Sequence, residues 1–556
     1  IVGKQLVKEM ITRDENHPSI IFWSNGNEGG FNYELEPDFA LWDKQKRVVL
    51  YPWANRNGFE TKHYRSYGET QEYMRQKEIF MPTEFLHGLY DGGHGAGLKD
   101  YWDMMMANPR CAGGFLWDLM DQGVVRTDKN NYVDCMGNFG ADGIVGPHAE
   151  KEGSYYTIKE VWCPVQLTWN DVEKGELTLS NQYNFVNLKD CRFSYRLLQM
   201  PAMGSTQVKL LKQGNISSPD VAPGKEAQVK IPMMANADAV ELKAVNHEGE
   251  EIMIWSRGVK SEERRVKNSS APSTSSAAYA EQADAVEVKA GGRTYRFAKK
   301  DGRLLGVEVG DKAISLSNGP RFMAARRSDR SLDQFYNHDD KEAEKKKTLY
   351  TEFVDQGVFS GFEWKEAEAK LVATYQHGSL DEVDWQFLSD GSVAVICHYN
   401  FGGVVDMMGM AFDYPESKVR SKAWVGNGPY RVWQNREQGP QYGYWQNDYN
   451  DPIPAESWDY PEFKGYFANV KWMQFKTDEG KIGFSGLTAD EHMGVYTPRD
   501  GRDGLLYTLP QTGLAVFKVI PSVRNKVNTT DLNGPSAQPK WLNGKGKAVF
   551  TLNFEL

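Results

Sequence analysis

The sequence lacks any long hydrophobic run: in its 556 residues no apolar stretch approaches the roughly 18–20 that a membrane-spanning helix needs. Cysteine is also scarce, with five residues and no Cys-x-x-Cys pair, so neither a disulfide framework nor a zinc site is indicated. Positive charge is not in excess, because the formal net charge is −10, which disfavours nucleic acid and anionic membranes as partners. A chain of this length is expected to form about three or four domains.

Aromatic residues, by contrast, are abundant, with 16 Trp and 27 Tyr. Such residues are typical of large hydrophobic cores, and their rings also pack on the apolar faces of sugars. An acidic, aromatic-rich chain without a membrane span therefore suits a carbohydrate ligand.

Residues 1–158 alternate apolar runs with helical stretches, the pattern of βα units with parallel strands. The predicted strands lie at 20–23, 47–51, 62–67, 79–85 and 114–119, and the predicted helices include 70–76 and 101–107. A closed TIM barrel needs eight strands, so we expect three more upstream of this partial barrel. The opening residues predict an amphipathic helix whose apolar face carries Val2, Leu6 and Met10.

Beyond residue 158 the pattern becomes all-β. Residues 159–258 alternate with period two, which predicts a β-sandwich of about 100 residues. Residues 259–282 are charged and then rich in Ser, Ala and Pro, a linker composition. Residues 283–556 repeat short strands with Gly- and Asp-containing turns, which predicts a large second β-sandwich. The fold class is therefore multidomain, α/β followed by all-β.

Two carboxylates stand at the ends of predicted strands. Glu28 follows the apolar run 20–23 inside the glycine-rich stretch NGNEGG, and Glu84 lies near the end of another strand in EIFMPTEFLHG. Carboxylates at the ends of two barrel strands point to the same mouth. Retaining glycoside hydrolases use two carboxyl groups about 5–5.5 Å apart, of which one is the acid/base and the other the nucleophile. A metal ligand or a salt-bridge partner is the alternative reading of either residue.

The stretch DENHPSIIFWSNGNE resembles the acid/base signature of glycoside hydrolase family 2, the family of the large bacterial β-galactosidases and of β-glucuronidases. The resemblance implies that Glu28 is the general acid/base and that Asn27 hydrogen-bonds the sugar 2-hydroxyl. The segment PTEFLHG is similar to the nucleophile segment of the family, which implies Glu84 as the nucleophile and His87 as a sugar-hydroxyl contact. One departure is Glu15, where the family usually has a basic residue.

Two further motifs complete the resemblance in the barrel region. GGFLWDLMDQG resembles the last barrel strand of the β-galactosidases, which implies that Trp117 forms the floor of the sugar subsite, with core packing as its alternative. HYRS is similar to the family segment whose Tyr hydrogen-bonds the nucleophile, so Tyr64 is the first choice and Tyr67 the second. Asp118 and Asp121 near the same mouth are interpreted as structural hydrogen-bonding residues.

The resemblance extends to both all-β regions in family order. Residues 159–258 resemble the immunoglobulin-like domain, and residues 283–556 resemble the supersandwich, or small-chain, domain of the long β-galactosidases. The sequence is thus interpreted as a C-terminal portion of such an enzyme, without the N-terminal sugar-binding domain. The resemblance implies no required cofactor, although a divalent or sodium ion is compatible with the full-length enzyme and its ligands are unknown. It also suggests a carbohydrate partner, allows a homo-oligomer, and favours export to a periplasm or cell surface.

The resemblance implies a retaining hydrolase that cleaves terminal β-D-galactosides or related β-glycosides by double displacement. Glu28 must then begin the reaction protonated while Glu84 is ionised, a difference that their environments impose. Galactose is favoured because His87 and the long C-terminal sandwich follow the galactosidase pattern. A β-glucuronidase, a galacturonidase or an α-arabinosidase of the same family is the alternative for the substrate. A non-catalytic carbohydrate-binding or assembly chain is the alternative of another class.

Overall fold

The computed structural model describes residues 1–88, 94–134, 140, 142–259, 277–327, 350–449, 465–496, 509–510 and 512–556. It is mostly β, as the sequence pattern predicts, and the α-helices of the described residues all lie within the first 161 positions. No helix in these ranges is long and apolar enough to cross a membrane. The chain divides into two compact units, of which the first contains Ile1–Ser154 together with Val523–Gln538. The second unit consists of Tyr155–Arg330, Asn337–Ser522 and Pro539–Leu556.

The first unit is built from short strands and helices in alternation. Its helices are α1 (Val2–Asp14), α2 (Glu36–Trp42), α3 (Tyr67–Tyr73) and α4 (Leu98–Met106), and α5 (Gly153–Val161) follows at its end. Its strands are β1 (Phe22–Ser24), β2 (Val48–Leu50), β3 (Asn55–Arg56), β4 (Phe59–Glu60), β5 (Ile79–Phe80), β6 (Val124–Arg126) and β7 (Tyr132–Asp134). The predicted helices at 70–76 and 101–107 correspond to α3 and α4 within a few residues.

The parallel pairing predicted for this unit is observed. Strands β1 and β2 are parallel, with Phe22 opposite Val48, and β4 and β5 are parallel, with Phe59 opposite Ile79. Parallel bridges continue the series from 80 to 111 and from 85 to 116. Successive chain segments therefore lie side by side and run in one direction, so their carboxyl ends share one edge.

Helix α1 forms as expected but buries a different face. Val2 and Leu6 are 73% and 59% exposed, so the predicted apolar face is wrong. The buried positions are Val7 and Ile11, which pack in a cluster with Trp23 of β1. Residues at i and i+4 define both faces equally well, and only the position of the neighbouring strand decides which one is covered.

The second unit contains two all-β regions. The strands of the first are β8 (Val165–Asp171), β9 (Glu176–Asn181), β10 (Arg192–Gln199), β11 (Lys209–Ile216), β12 (Glu226–Lys230), β13 (Ala239–Val245) and β14 (Glu251–Gly258). They form a four-stranded sheet, in the order β11-β10-β13-β14, and a three-stranded sheet, in the order β12-β9-β8. Alternate residues of both sheets enter one core that includes Leu177, Leu197, Leu242 and Trp255. This arrangement agrees with the sandwich predicted for 159–258.

The second all-β region holds the strands β15 to β33. Their bounds are Ala278–Glu281, Ala285–Ala290, Arg293–Ala298, Leu304–Val309, Lys312–Ile314, Ser317–Arg327, Tyr350–Glu352, Val358–Lys365, Lys370–Gln376, Leu380–Phe387, Val393–Val405, Met407–Asp413, Val419–Gly428, Gln441–Asp448, Trp472–Thr477, Lys481–Ser485, His492–Val495, Leu514–Val519 and Lys540–Glu555. They form a ten-stranded and a nine-stranded sheet. One continuous apolar core, with Trp385, Trp424 and Phe550 among its largest members, draws on both sheets.

The predicted domain boundaries stay predictions. The expected linker at 259–282 falls largely on residues 260–276, which lie outside the described residues. Val523–Gln538 lies between β32 (Leu514–Val519) and β33 (Lys540–Glu555) in sequence, yet it groups with the first unit. This segment supplies a residue of the candidate active site.

Candidate active site

Glu28 lies in a tight turn directly after β1. The turn is closed by the Gly30 N–H, which donates to the Asn27 carbonyl oxygen at 2.6 Å. A Cβ on Gly26, whose φ is +79°, would lie 2.5 Å from the Gly30 carbonyl oxygen, so a side chain at this position has no room. Glu28 itself has a φ of +43°, a left-handed conformation that is costly outside glycine and is often found at functional sites. The turn leaves the Glu28 side chain 45% exposed.

Glu84 lies four residues after β5 and its side chain is only 11% exposed. His63 stands between the two carboxylates, with its Nδ1 atom 3.0 Å from Glu28 Oε1 and 3.6 Å from Glu84 Oε2. One ligand atom from each of these three residues lies within 4.8 Å of the others. This separation suits a retaining glycosidase, whose carboxyl groups stand about 5–5.5 Å apart, better than an inverting one, which needs about 6.5–9.5 Å.

His63 forms a hydrogen bond from each ring nitrogen. Its Nδ1 atom pairs with Glu28 Oε1 at 3.0 Å and its Nε2 atom pairs with Thr83 Oγ1 at 2.8 Å. Thr83 Oγ1 also lies 3.3 Å from the Thr61 carbonyl oxygen. The ring is therefore held in place between the Glu28 carboxyl group and Thr83.

Tyr64 follows His63 and hydrogen-bonds the other carboxylate, since its hydroxyl donates to Glu84 Oε2. Burial first, and then the Glu84 carboxylate, raise the pKa of Tyr64 well above the usual range, so the group remains a donor. Its φ is +51°, a second left-handed residue in the site. Tyr67, the second choice from the motif, opens α3 and packs edge-on to Tyr101 at 5.5 Å. The geometry therefore favours Tyr64.

Trp117 and Asp142 lie on a further side of the same site. Trp117 Nε1–H donates to Asp142 Oδ2 at 3.2 Å, and burial raises the pKa of Asp142 to about 6. Behind them, the Trp117 carbonyl oxygen accepts from Nε2–H of His94, whose pKa burial lowers to about 4. A Cβ on Gly88 would fall 1.6 Å from the His94 ring, so glycine is required for this close approach.

His87 is buried between Tyr64 and Lys526. Its ring centroid is 5.4 Å from that of Tyr64, and its Nε2 atom accepts from the Lys526 ammonium at 2.8 Å. Burial, followed by the charge of Lys526 and by His94, lowers the pKa of His87 to about 2, so this ring is neutral. Its Nδ1 atom is 3.8 Å from Asp142 Oδ1.

The structure thus brings together the predicted residues Glu28, Tyr64, Glu84, His87 and Trp117. Asn27 lies exposed beside Glu28 in the turn, and within the described residues no hydrogen bond joins its amide to the other five. Asp121 accepts from the backbone N–H of Gly143 at 2.8 Å, which agrees with a structural role.

Three residues of the site escape motif-based prediction: His63, Asp142 and Lys526. His63 precedes Tyr64 in HYRS, so its position beside the motif was a local signal for it. Lys526 has no such signal, because it lies 439 positions from its hydrogen-bond partner.

Glu28, His63 and Glu84 also form one of two groups in the described residues that could hold a metal ion; the other is Glu382, Asp384 and His398. The first group fits a sodium or divalent ion poorly. Such hard ions prefer about six oxygen ligands, whereas this group offers two carboxylates and one nitrogen that already share hydrogen bonds.

Three regions of the chain match known protein families. Residues 3–144 match the family described as "Glycosyl hydrolases family 2, TIM barrel domain", residues 177–253 match "Beta-galactosidase, domain 4", and residues 289–509 match "Beta galactosidase small chain". The β-galactosidase of Oenococcus oeni is 22% identical over 96% of this chain and 56% of its own length. That of Priestia megaterium is 29% identical over 33% of this chain and 19% of its own length.

The chain spans about a fifth to just over half of the length of these curated relatives. Among solved structures, an exo-chitosanase of Amycolatopsis orientalis aligns with 59% of this chain and 47% of its own, at 11% identity and a TM-score of 0.25. The resemblance to glycoside hydrolase family 2 and its β-galactosidases, which the motifs indicate, is confirmed by the three matched regions and the relatives.

Proposed function

We propose that this chain, with its family 2 barrel region and its β-galactosidase regions, is the part of a retaining glycoside hydrolase that carries both catalytic carboxylates. The proposed reaction is the cleavage of terminal β-D-galactosides or related β-glycosides by double displacement. The observation that carries the proposal is the pairing of Glu28 and Glu84 through His63, with one ligand atom of each within 4.8 Å of the others.

In the first step Glu84 attacks the anomeric carbon while Glu28 donates its proton to the leaving glycosidic oxygen. The bond between the anomeric carbon and that oxygen breaks, and a covalent glycosyl-enzyme forms. In the second step Glu28, now a carboxylate, removes a proton from water, which attacks the anomeric carbon and releases Glu84. The product keeps the configuration of the substrate at the anomeric carbon.

The surrounding side chains have roles that follow from their contacts. Tyr64 donates to Glu84 and holds the attacking oxygen in a fixed direction. His63 hydrogen-bonds Glu28 Oε1 and is the proposed positioning residue for the acid/base. The indole of Trp117, fixed by Asp142, is the proposed floor for the sugar ring, and Asn27 is the proposed contact of the 2-hydroxyl.

Galactose is the proposed sugar because the curated relatives that this chain matches at 22–29% identity are named β-galactosidases. A second candidate is a β-glycoside of an acidic sugar, as cleaved by glucuronidases and galacturonidases. The observation that favours it is the ammonium of Lys526, 2.8 Å from His87. An α-arabinoside, or a non-catalytic sugar-binding role, has no such observation in its favour.

The test is hydrolysis by the full-length product of the gene that encodes this chain, with nitrophenyl β-galactoside, β-glucuronide and α-arabinoside as substrates. We expect turnover of at least one substrate with retained configuration by NMR, and a loss of about 10⁴-fold or more in Glu84→Gln. Glu72→Gln, which removes an exposed carboxylate of α3, should leave the rate unchanged. Inversion of configuration, or undiminished turnover in Glu84→Gln, would overturn the proposal.

A further inference from the structure

We propose that the second unit contains a carbohydrate-binding site of its own and that its ligand is an uncharged sugar of one or two rings. The site is a cavity of about 520 Å³ whose lining residues all belong to that unit and come from both of its all-β regions. Small-molecule sites typically have volumes of about 300–1,000 Å³, whereas one water molecule needs only about 30 Å³. The inference goes beyond the proposed hydrolase function, because it concerns residues other than those of the candidate active site.

The two all-β regions are fixed against each other beside this cavity. Ser256 of β14, a lining residue, donates from its backbone N–H to Gln441 Oε1 at 2.7 Å and from its hydroxyl to the Tyr442 carbonyl oxygen at 2.6 Å. An apolar cluster that includes Leu198 and Trp472 draws on both regions. The cavity is therefore formed before any ligand binds, which limits the conformational cost of binding.

Two tryptophans line the cavity from the smaller sandwich. Trp169 lies on β8 and Trp255 on β14, and these are the last strands of the two sheets of that sandwich. Trp255 is buried and Trp169 is half-buried. Within the described residues no hydrogen bond engages the Nε1–H of either indole. An indole combines a large apolar surface with one N–H donor, and a sugar ring has groups that match both.

Polar side chains line the cavity from three neighbouring segments of the large sandwich. The N–H of Asn427, at the end of β27 (Val419–Gly428), donates to the carbonyl oxygen of Ala468 at 3.0 Å. Phe467 and Met493 exchange backbone hydrogen bonds at 3.0 and 2.9 Å, which places Ala468 opposite His492. Asn427, the residue after Ala468 and His492 are thus supported by a hydrogen-bonded backbone, which holds binding side chains in place.

These polar side chains have hydrogen-bonding capacity that the described residues leave unused. Asn427 is only 8% exposed, yet no hydrogen bond within the described ranges engages its side-chain amide. The amide of Asn469 is likewise unpaired there, and the buried Nδ1 atom of His492 has no hydrogen-bond partner among the described residues. Buried polar groups in native proteins are nearly always hydrogen-bonded, so unpartnered groups around one cavity indicate a polar ligand.

The charges around the cavity favour an uncharged ligand. The ammonium of Lys518 is 3.2 Å from a carboxylate oxygen of Asp490. Burial raises the pKa of Glu160, and the charge of Arg257 opposes that rise. Arg257 also acts on the carboxyl group of Glu437. Both cations among the described lining residues thus have carboxylates near them, which disfavours an anionic ligand.

A sugar matches this combination of indoles and unpaired amides. Its ring has apolar C–H faces that pack on an indole, and its hydroxyls both donate and accept hydrogen bonds. The side-chain amides of Asn427 and Asn469 also donate and accept. Burial lowers the pKa of His492 to about 4, so its ring is uncharged at neutral pH and adds a further hydrogen-bonding group. A purely apolar ligand would leave these groups without partners, which is costly in a buried site.

The experiment measures sugar binding by calorimetry with the full-length gene product, which carries Glu84→Gln so that hydrolysis does not consume the probe. The probes are galactobiose, cellobiose and xylobiose, with galacturonate as the charged comparison. We expect at least one neutral disaccharide to bind, with an affinity that Trp169→Ala and Asn427→Ala each lower by about 10-fold or more. Trp169→Phe, which keeps an aromatic ring, should retain part of the affinity. Binding that both alanine variants leave unchanged is attributed to the catalytic site.

Thermal unfolding distinguishes a lost contact from a lost fold. Asn427→Ala should not lower the melting temperature of the ligand-free protein, because its amide has no partner within the described residues. Trp541→Ala is the matched control for Trp169→Ala, because this indole is 71% exposed on β33 of the same unit and lies outside the cavity. It should leave the affinity for every probe unchanged.

Two results would overturn the inference. One is the absence of binding, or an affinity for every probe that is unchanged in Trp169→Ala or in Asn427→Ala, since the cavity would then hold only water. The other is tighter binding of galacturonate than of the neutral sugars in this cavity, which would contradict an uncharged ligand. Because binding is measured without hydrolysis, either result is independent of the outcome of the test of the hydrolase function.

Discussion

The barrel region and the large sandwich differ in the length of their β-strands. Strands β1 to β7 of the barrel region are two or three residues long. In the sandwich, β25 (Val393–Val405) and β33 (Lys540–Glu555) pair over thirteen consecutive positions. Long paired strands and a continuous apolar core stabilise a fold. Short strands are instead followed closely by turns, and these turns can carry reactive side chains.

The two regions also differ in what they bury. The largest core cluster of the sandwich consists of hydrophobic side chains, with Trp385, Phe387 and Phe550 fully enclosed, although Lys422 and Glu491 are buried in the same region. The site in the barrel region encloses ionisable groups instead, including Glu84, His87 and Asp142, and contains left-handed residues at Glu28 and Tyr64. Buried polar groups and backbone strain reduce stability, so they are expected where function requires them.

The largest expected effect is a loss of stability caused by a substitution in the core of the sandwich. Trp385→Ala in β24 (Leu380–Phe387) removes an indole that packs 4.8 Å from the ring of Phe297, and we expect it to lower the free energy of unfolding by about 3–5 kcal/mol. Denaturant titration measures this loss. At low temperature, kcat/KM of the folded fraction should remain unchanged, because Trp385 belongs to the compact unit that does not contain the site residues. Lost activity in a protein that is still folded would contradict the division of roles.

A smaller expected effect concerns the free energy that is lost when the buried carboxyl group of Asp142 ionises. The pKa of Asp142 is raised to about 6 by burial, so its ionisation opposes folding: the stability is greatest below the unfolded pKa of 3.8 and falls as the pH rises through about 6. Asp142→Asn removes this cost. We expect the variant to be more stable than wild type by at most about 3 kcal/mol at pH 7–8, with no gain near pH 4.

Thermal or denaturant unfolding at several pH values checks this prediction. Asp128→Asn, an exposed carboxylate of the same unit paired with Arg126, is the control and should show no such gain at neutral pH. A gain for Asp142→Asn that is equal at pH 4 and pH 8 would show that the effect is unrelated to ionisation.

The smallest expected effect is a loss of activity when the hydrogen bond between His63 and Glu28 is removed. His63→Gln should lower kcat/KM by about 10- to 100-fold, since proton transfer by a positioned group contributes about 10²–10⁴-fold and Glu28 remains in place. The loss should be large for substrates with a poor leaving group, which need the proton from Glu28, and small for dinitrophenyl glycosides, which do not. Thr83→Val, which removes the hydroxyl that hydrogen-bonds His63 Nε2, should act in the same direction but less strongly. An equal loss for both leaving groups would show that His63 acts only through the structure.

Much of this arrangement is predictable from local sequence. Glu28 and Glu84 follow apolar strands that end in turn residues, and the motifs HYRS, PTEFLHG and GGFLWDLMDQG each contain a residue of the site. Period-two alternation likewise predicts both all-β regions. Such patterns are local because strand and turn preferences depend on neighbouring residues.

The buried face of α1 shows where local reasoning stops. Two stripes of apolar residues are available on this helix, and the covered one contains Val7 and Ile11 because Trp23 and Phe39 lie on that side. A heptad-like pattern defines candidate faces but not the neighbour that covers one of them.

By itself, the sequence determined the order of barrel-like and sandwich regions, the two carboxylates and the turns that present them, because each depends on residues close together in the chain. Only the tertiary structure decided that Glu28 forms a hydrogen bond with His63, that Tyr64 rather than Tyr67 meets Glu84, and that Lys526 joins His87 across 439 positions. The physical reason is that contacts between distant residues are set by packing and by the anchoring of Val523–Gln538, which leave no periodic or short-range signal in the sequence.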